Sequence, residues 1–600
     1  MRCAHGMPFG PALEPGGVRF RLWAPDCGDV AVHVAGLGDV AMDKDGDGWA
    51  EAWVPGIGAG ARYGFRVGGL VVPDPASRHQ PDDVHALSEV IDPADHDWID
   101  GAWRGRPWEE AAIYELHVGT FTPAGTFRAV IDRLDHLAGL GVTAVELMPV
   151  AEFPGARGWG YDGVLPFAPE ASYGRPEDLK ALVEAAHQRG LMMFLDVVYN
   201  HFGPEGNYLH ATARRFFTDR HHTPWGQAIN YDGADSAPVR EFVIHNALYW
   251  LEEFNFDGLR LDAVHAIVDD SRPSLLEELA ERARAALPDR PIHLVLENDD
   301  NAARLLARQP DGRPRFYTAQ WNDDIHHALH RLLTGEAGGY YRDYGADPLP
   351  HLCRCLAEGF AYQGEDSEHR DGARRGEPSA GLPPTAFVSF LQNHDQIGNR
   401  ALGERLDRLA PEPAVAAATA LMLLAPPPPL LFQGEEWGAS TPFQYFCDFG
   451  PELARAVRRG RRREFAHFPQ FQGKGAARIP DPVAKATFAR SRLDWDERAK
   501  PPHARRLAQV RELLHIRGRQ IAPRLAGARS EGCRGLGRHA LEGRWRMGDG
   551  SLLTVQANLS DQGLAGPVHA DGRLLYSTRE GGGALPAWGV DWYLDDGGNA

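Results

Sequence analysis

The chain has 600 residues, enough for three or four domains at about 100–200 residues each. An apolar fraction of 43% and a charged fraction of 24% exclude an intrinsically disordered protein, and a formal charge of −19 with both signs mixed along the chain argues against a nucleic-acid or anionic-membrane partner. No run reaches the ~20 apolar residues of a membrane helix: the longest, Ala414 to Ala425, is about half that and ends at Pro426–Pro429. Met1–Gly10 lacks the basic start and apolar run of a secretory signal. Six scattered cysteines (Cys3, Cys27, Cys353, Cys355, Cys447, Cys533) show neither metal-like spacing nor disulfide density, so a reducing cytoplasm is expected.

From Val18 to Val72 short alternating segments, such as Val18–Trp23 and Val30–Val34, are separated by turn clusters. This period-2 pattern predicts an N-terminal β-sandwich over residues 1–100. The run Asp43–Gly48 has the look of a calcium loop but lacks the downstream bidentate Glu, and is expected to be a hairpin turn. The Pro- and Asp-rich passage Pro73–Asp100 is expected to be a linker.

After Ala112 short apolar strands alternate with amphipathic helices. Eight strands are predicted, at Ile113–Val118, Ala144–Pro149, Met192–Val198, Gly258–Ala263, His293–Glu297, Phe316–Trp321, Ala386–Asn393 and Leu430–Gly434. Helical patterns lie between them at Arg128–Leu140, Pro176–Arg189, Val239–Phe254, Ser274–Ala286 and Asp323–Leu333. Strands apolar on both faces require a covered parallel sheet, and eight such units make an α/β fold, the (β/α)8 TIM barrel, over residues 101–510 with insertions. One insertion is a His-, Phe- and Trp-containing loop from His201 to Tyr231. Strands such as Leu552–Ala557 and Leu574–Ser577 predict a small C-terminal β domain over 511–600.

In such a barrel the C-terminal ends of the strands carry the chemistry. Here they carry acids: Asp196 on the third strand, Asp262 on the fourth, Glu297 on the fifth and Asp395 after the seventh. An acid among apolar neighbours is costly to bury unless it is paired or functional, and four at one rim point to function. Facing carboxyls with His and Arg nearby are the kit for glycoside hydrolysis. Arg260, two residues before Asp262, shares its strand face and would keep it ionised, whereas Leu294-Val295-Leu296 would keep Glu297 protonated.

The segments Asp196–His201, Gly258–His265, Leu294–Asn298 and Gln392–Asn399 resemble the four signature segments of the α-amylase superfamily, in order and on the matching strands. The resemblance implies Asp262 as nucleophile, Glu297 as general acid/base and Asp395 as a third acid holding and distorting the reacting sugar. It implies a double displacement with retention, with the first two carboxyls ~5–5.5 Å apart. His201 and His394 would donate to sugar hydroxyls. Tyr161 is placed either to stack on the sugar or, like Trp159, to pack in the core. Asp196 and Arg260 complete the site. Many relatives carry a calcium near the segment matching Asn200, but His201–Tyr231 holds no cluster of further acids, so neither a metal nor an organic cofactor is expected.

Within the superfamily, the module around Phe20–Pro25 resembles that preceding the barrel of branching enzymes, isoamylases and trehalohydrolases. Three further segments are similar to the maltooligosyltrehalose trehalohydrolases: Gln320–His327 with Leu333–Glu336 and Gly339–Tyr341; Asn393–Arg400; and Gln433–Trp437 followed by Phe446–Phe449 and the basic run Arg458–Arg463. Cys447 departs from that pattern, which usually has Thr or Ser there. The resemblance implies cleavage of the α-1,4 bond beside a terminal trehalose unit, with a maltooligosyltrehalose or α-glucan oligosaccharide as partner. Trp321, Asp323 and Asp324 would shape the +1 site, although the two acids could equally cap the helix that follows. Arg458–Arg463 is expected to be a solvated helix face or a partner of the acidic surface. The competing readings are a branching enzyme or isoamylase, and a glycan-binding barrel without catalysis.

Overall fold

A computed structural model of the chain describes residues 4–99, 101–224, 226–466, 471, 475, 478–564, 570–579 and 583–597. Cys3 and the other first residues of Met1–Gly10, Asp100 at the end of the expected linker, and Trp225 of the His201–Tyr231 loop lie outside these. Among the described residues no helix is long and apolar enough to cross a membrane.

The eight expected strands form a closed parallel barrel in chain order. They are β1 (Ile113–Leu116), β2 (Ala144–Leu147), β3 (Met192–Val197), β4 (Gly258–Leu261), β5 (His293–Leu296), β6 (Ala319–Trp321), β7 (Phe387–Phe390) and β8 (Pro429–Phe432). Strand side chains alternate, so one parity fills the barrel and the other meets the surrounding helices. Ile113, Ala144, Met192, Phe194, Val295, Ala319, Val388, Phe390 and Leu430 make the inner apolar plug. The same parity carries Glu115, Glu146, Asp196, Arg260 and Glu297 into the barrel, with Glu115 beside Glu146 and Asp196 beside Arg260 in register.

Two small β domains flank the barrel. At the N-terminal end Gly10–Glu14, Gly17–Trp23, Trp49–Pro55 and Asp43–Lys44 form one sheet. Gly38–Ala41, Val30–Val34, Arg62–Val67 and Leu70–Val72 form the other, with Ser88–Glu89 added to Arg62–Val67. Their facing apolar sides, including Val18, Phe20, Val32 and Phe65, bury one core. Asp43–Gly48 is a hairpin turn as expected, its Asp45 carboxylate accepting from the N–H groups of Asp47 and Trp49, each at 2.9 Å. The C-terminal sheet is antiparallel and five-stranded, from Arg529–Gly537 to Val590–Asp595. Two tryptophans fasten it to barrel helices: Trp592 Nε1 donates to Ala420 O at 3.0 Å and Trp545 Nε1 to Leu356 O at 3.2 Å. Cys533 of this sheet lies 2.8 Å, sulfur to sulfur, from Cys353 on the helix Leu349–Glu358, a neighbour 180 residues away in sequence.

The passage from Pro73 is a packed connector where a linker was expected. Asp74, Ser77, Arg78, His79 and Gln80 are buried, and Tyr63 Oη donates to Asp74 at 2.6 Å. The expected helix over Arg128–Leu140 is two pieces, Phe127–Ile131 and Leu134–Leu140. The basic run lies on the helix Pro451–Glu464 and is only partly solvated. Arg461 is buried and donates to the carbonyls of Gly398 and Arg400 at 2.8 and 2.9 Å. It thereby caps the C-terminus of His394–Gly398, the short helix that carries Asp395. Arg517 does the same for the apolar helix Glu412–Leu424, donating to Leu423, Ala425 and Pro426 carbonyls, so the Pro426–Pro429 lead-in to β8 is held by a buried guanidinium.

Candidate active site

The chemistry converges on Arg260, wholly buried at the centre of the barrel mouth. Its Nη1 donates to Asp196 at 2.7 Å and to Asp262 at 2.8 Å, and its Nη2 lies 3.7 Å from Glu297. The planar guanidinium is suited to this, offering fixed donors to several carboxylates at once. Asp262, the residue after β4, also accepts from Asn200 Nδ2 at 2.8 Å. The next residue, Ala263, is forced into left-handed backbone at φ 39°, and its N–H donates to Glu297 Oε2 at 2.5 Å. That strained turn brings the ends of β4 and β5 together.

Burial raises the Glu297 carboxyl above the usual range; Arg260 opposes the shift, and Asp262 and Asp395 add to it. Burial pushes Asp196 to about 7 despite Arg260. One carboxylate bridged by Arg and Asn beside one carboxyl biased toward its protonated form is an arrangement able to carry out nucleophilic attack with acid assistance. Asp395 is not at a strand end: β7 stops at Phe390, and the acid sits in the first turn of His394–Gly398. Its N–H donates to Asn393 Oδ1 at 2.9 Å and it accepts from Asn399 Nδ2 at 3.1 Å, with its side chain 45% exposed to the cleft.

Tyr161 and His394 stack with ring centroids 5.1 Å apart. Tyr161 Oη donates to Asp196 at 2.6 Å and lies 2.8 Å from His394 Nε2. His394 is itself buried, behind Tyr161 and Asp395, with its Nδ1 on Glu115. Trp159 packs between Phe443, Tyr445 and His394, and its Nε1 donates to Gln444 O at 3.1 Å. His201 borders the cleft, its Nδ1 against Asn200 Oδ1, and burial lowers its pKa.

Two residues expected at the +1 site are elsewhere. Trp321 is 1% exposed inside the barrel, its ring 4.3 Å beneath the Arg260 guanidinium, because an inward strand position at this depth faces the plug and not the mouth. Asp324 is wholly buried on the far side of its helix, Asp323–Thr334, paired with Arg375 at 2.7 Å and accepting from Tyr344 Oη, Asn301 Nδ2 and the Ala361 N–H. It ties the loops after β5 and β6 together. Both acids lie in the first turn of this helix, where negative charge suits its dipole, and the N-cap Asn322 has no side-chain capping bond. Asp323 does face the site: Glu297, Asp299 and Asp395 join burial in raising its pKa, and Gln396 Nε2 reaches it at 3.4 Å.

Sequence reasoning passed over Asn200 as a partner of Asp262, and Glu115 and Glu146 altogether. It also missed Tyr340, partly exposed and among the groups around Asp395 and Asp323. Among the described residues the side chains of His221, Asp232 and Asp270 come close enough to share a cation. Asp232 is already engaged by Arg220 at 3.1 Å and by His221 at 2.8 Å.

A sequence profile of the alpha amylase catalytic domain matches residues 43–229, and a domain of unknown function, DUF3459, matches residues 528–592. The chain is similar to a malto-oligosyltrehalose trehalohydrolase of Deinococcus radiodurans, 46% identical over 523 residues, or 85% of this chain and 82% of that protein. It is also similar to one of Saccharolobus solfataricus, 42% identical over 82% of this chain and 84% of that one. A crystal structure from Salmonella typhimurium, assigned as an alpha amylase, superposes with a TM-score of 0.93 at 45% identity over 98% of this chain and 99% of that chain. A pullulanase of Anoxybacillus, at 17% identity and a TM-score of 0.69 over 99% of this chain and 88% of that one, shares the fold. With the barrel, its acid-lined mouth and these relatives in hand, the chain belongs to the malto-oligosyltrehalose trehalohydrolase family of α-amylase-type glycosidases.

Proposed function

We propose that this protein hydrolyses the α-1,4 bond beside the terminal trehalose of maltooligosyltrehalose, releasing trehalose and a shortened glucan. Asp262 attacks the anomeric carbon while Glu297 protonates the departing oxygen; Glu297 then accepts a proton from the water that frees the glycosyl-enzyme. Asp395 grips the hydroxyls of the reacting sugar, Tyr161 forms the wall against its ring, and His201 donates to it. Arg260 and Asp196 hold Asp262 in place. Asp323 faces the leaving sugar and gives the site a polar group that a mismatched hydroxyl leaves unpaired.

The observation that carries the reading is the single guanidinium of Arg260 bonded to Asp262 at 2.8 Å with the protonation-biased Glu297 beside it. No organic cofactor enters this chemistry. A cytoplasmic location and the absence of a nucleic-acid partner belong to the same proposal, supported by the net charge of −19 and by thiols at Cys27, Cys353, Cys355, Cys447 and Cys533 that form no disulfide.

The test is product analysis on maltooligosyltrehalose and on plain maltooligosaccharide of equal length. Free trehalose from the first with little cleavage of the second is expected. Extensive cleavage or chain transfer on the plain glucan, without a trehalose preference, would replace the reading with an amylase or branching activity.

A further inference from the structure

Half-way down the barrel, the neighbouring strands β1 and β2 put two buried glutamates side by side, Glu115 and Glu146. Glu146 has no hydrogen-bond partner for either oxygen among the described residues. Glu115 has two, both on His394: its Oε1 meets Nδ1 of the ring, and its Oε2 accepts the His394 N–H at 3.2 Å. The other side of the ring fixes the proton count. With Asp196 ionised, as it is above about pH 7, its Oδ2 accepts from Arg260 and takes the one hydroxyl proton of Tyr161, whose lone pair is left facing His394 Nε2 at 2.8 Å. Nε2 must therefore carry a hydrogen. Nδ1, against a carboxylate, carries one too.

We propose that Glu115 is a positioning residue of the hydrolytic site: it holds His394 as an imidazolium, which in turn fixes Tyr161 and the Asp395 carboxylate, 3.5 Å from Nε2, without Glu115 itself touching sugar. The inference rests on the reading above that sugar reacts between Asp262 and Glu297. Its logic is that of a carboxylate orienting a histidine through the nitrogen away from the site. The groups that face His394 are Glu115 and Glu146 on β1 and β2, His117 just after β1, Arg260 on β4, Asp395, Asp196 through Tyr161, and the rings of Trp159 and Trp321. Burial and Arg260 favour the neutral ring; Glu115 is the largest opposing influence, and with Asp395 it lifts His394 to about 9. Remove the Glu115 charge and burial wins.

The experiment compares kcat/KM for trehalose release in Glu115→Gln and wild type from pH 5 to 8, as a ratio that cancels the titration of Glu297. The ratio is expected to fall as pH rises and to be at least ~10-fold below its acid limit by pH 7.5, since each pH unit past the lowered histidine pKa costs tenfold. In a His394→Gln background, Glu115→Gln should change kcat/KM by less than about 2-fold, because the glutamate acts through that ring. A pH-independent ratio, or a loss that multiplies in the double variant, overturns the proposal. Should Glu115→Gln fail to fold, ¹⁵N-histidine spectra of the unaltered protein decide. The His394 signal, assigned by its disappearance in His394→Gln, is expected to show both ring nitrogens protonated at pH 8; a neutral ring there overturns the proposal. These spectra need no substrate, so an enzyme that released no trehalose would sink the functional reading while leaving the imidazolium standing or falling by itself.

Discussion

The acids at the mouth of the barrel and the acids half-way down it are the same functional group in two settings. Asp196, Asp262 and Glu297 gather around one guanidinium, with distances of 2.7, 2.8 and 3.7 Å to Arg260. Below them Glu115 has a histidine, and Glu146 has no hydrogen-bond partner among the described residues. All five carboxyls are buried or nearly so, so burial alone does not decide what each one does. The partner decides. At Arg260, Asp262 is bridged by the guanidinium and Asn200 while burial still raises Asp196 and Glu297; a charge given to His394 makes a prop, and a carboxyl with neither partner is pushed well above its usual range.

The sharpest way to break that comparison is at the mouth. Asp262→Asn keeps the shape, gives up one of the two hydrogen bonds from Arg260 and Asn200 and removes the nucleophile, and trehalose release should fall by about 10⁴-fold or more while the melting temperature stays within a few degrees. Retained activity would mean that Arg260 serves some other acid. Glu297→Gln should cost about 10²–10⁴-fold. Because the acid acts in its protonated form and its pKa is raised, the wild-type rate should fall only as pH climbs above the ordinary glutamate range, and the variant should lose that alkaline limb.

Arg260→Met tests the shared partner itself. It strands Asp196 and Asp262 without their cation, so stability should drop by about 3–5 kcal/mol in denaturant titration. A variant as stable as wild type would show that the acids do not depend on it. The smallest effect on catalysis belongs to Glu146→Gln, which is read in stability instead. Above about pH 4.5 the folded protein keeps a proton at Glu146 that the unfolded chain releases, so this group costs stability as pH rises. The amide removes that cost. The variant should match wild type near pH 4 and gain on it by up to about 1.4 kcal/mol per pH unit for as long as the folded protein keeps that proton, read as melting temperature against pH. Equal stability across the range would mean that Glu146 has a partner after all.

The barrel was legible because each strand is a short, nearly continuous apolar run, and all eight were found within a few residues. Asp262 and Glu297 are legible for a related reason, each an acid after an apolar run at a strand end, and they meet at Arg260. Ile113-Tyr114-Glu115-Leu116 and Ala144-Val145-Glu146-Leu147 carry the same signal inside the strand, where an acid is less readily told from a paired core residue. Trp321 and Asp324 were misplaced for geometric reasons: an inward residue at the end of a three-residue strand still lies below the rim, and adjacent helix residues point about 100° apart, so Asp323 faces the cleft and Asp324 the core. The Pro73–Asp100 passage misled because composition reports turn chemistry, not burial; its polar groups find partners across domains far apart in sequence, as Arg175 reaching Glu89 at 3.0 Å illustrates.

The most direct test of the central claim is stereochemical. Proton spectra recorded during the first moments of hydrolysis of maltooligosyltrehalose give the anomeric form of the new reducing end before it mutarotates. Attack by Asp262 followed by water guided by Glu297 requires the α form to appear first. First appearance of the β form would mean direct attack by water, and would contradict the role assigned to Asp262.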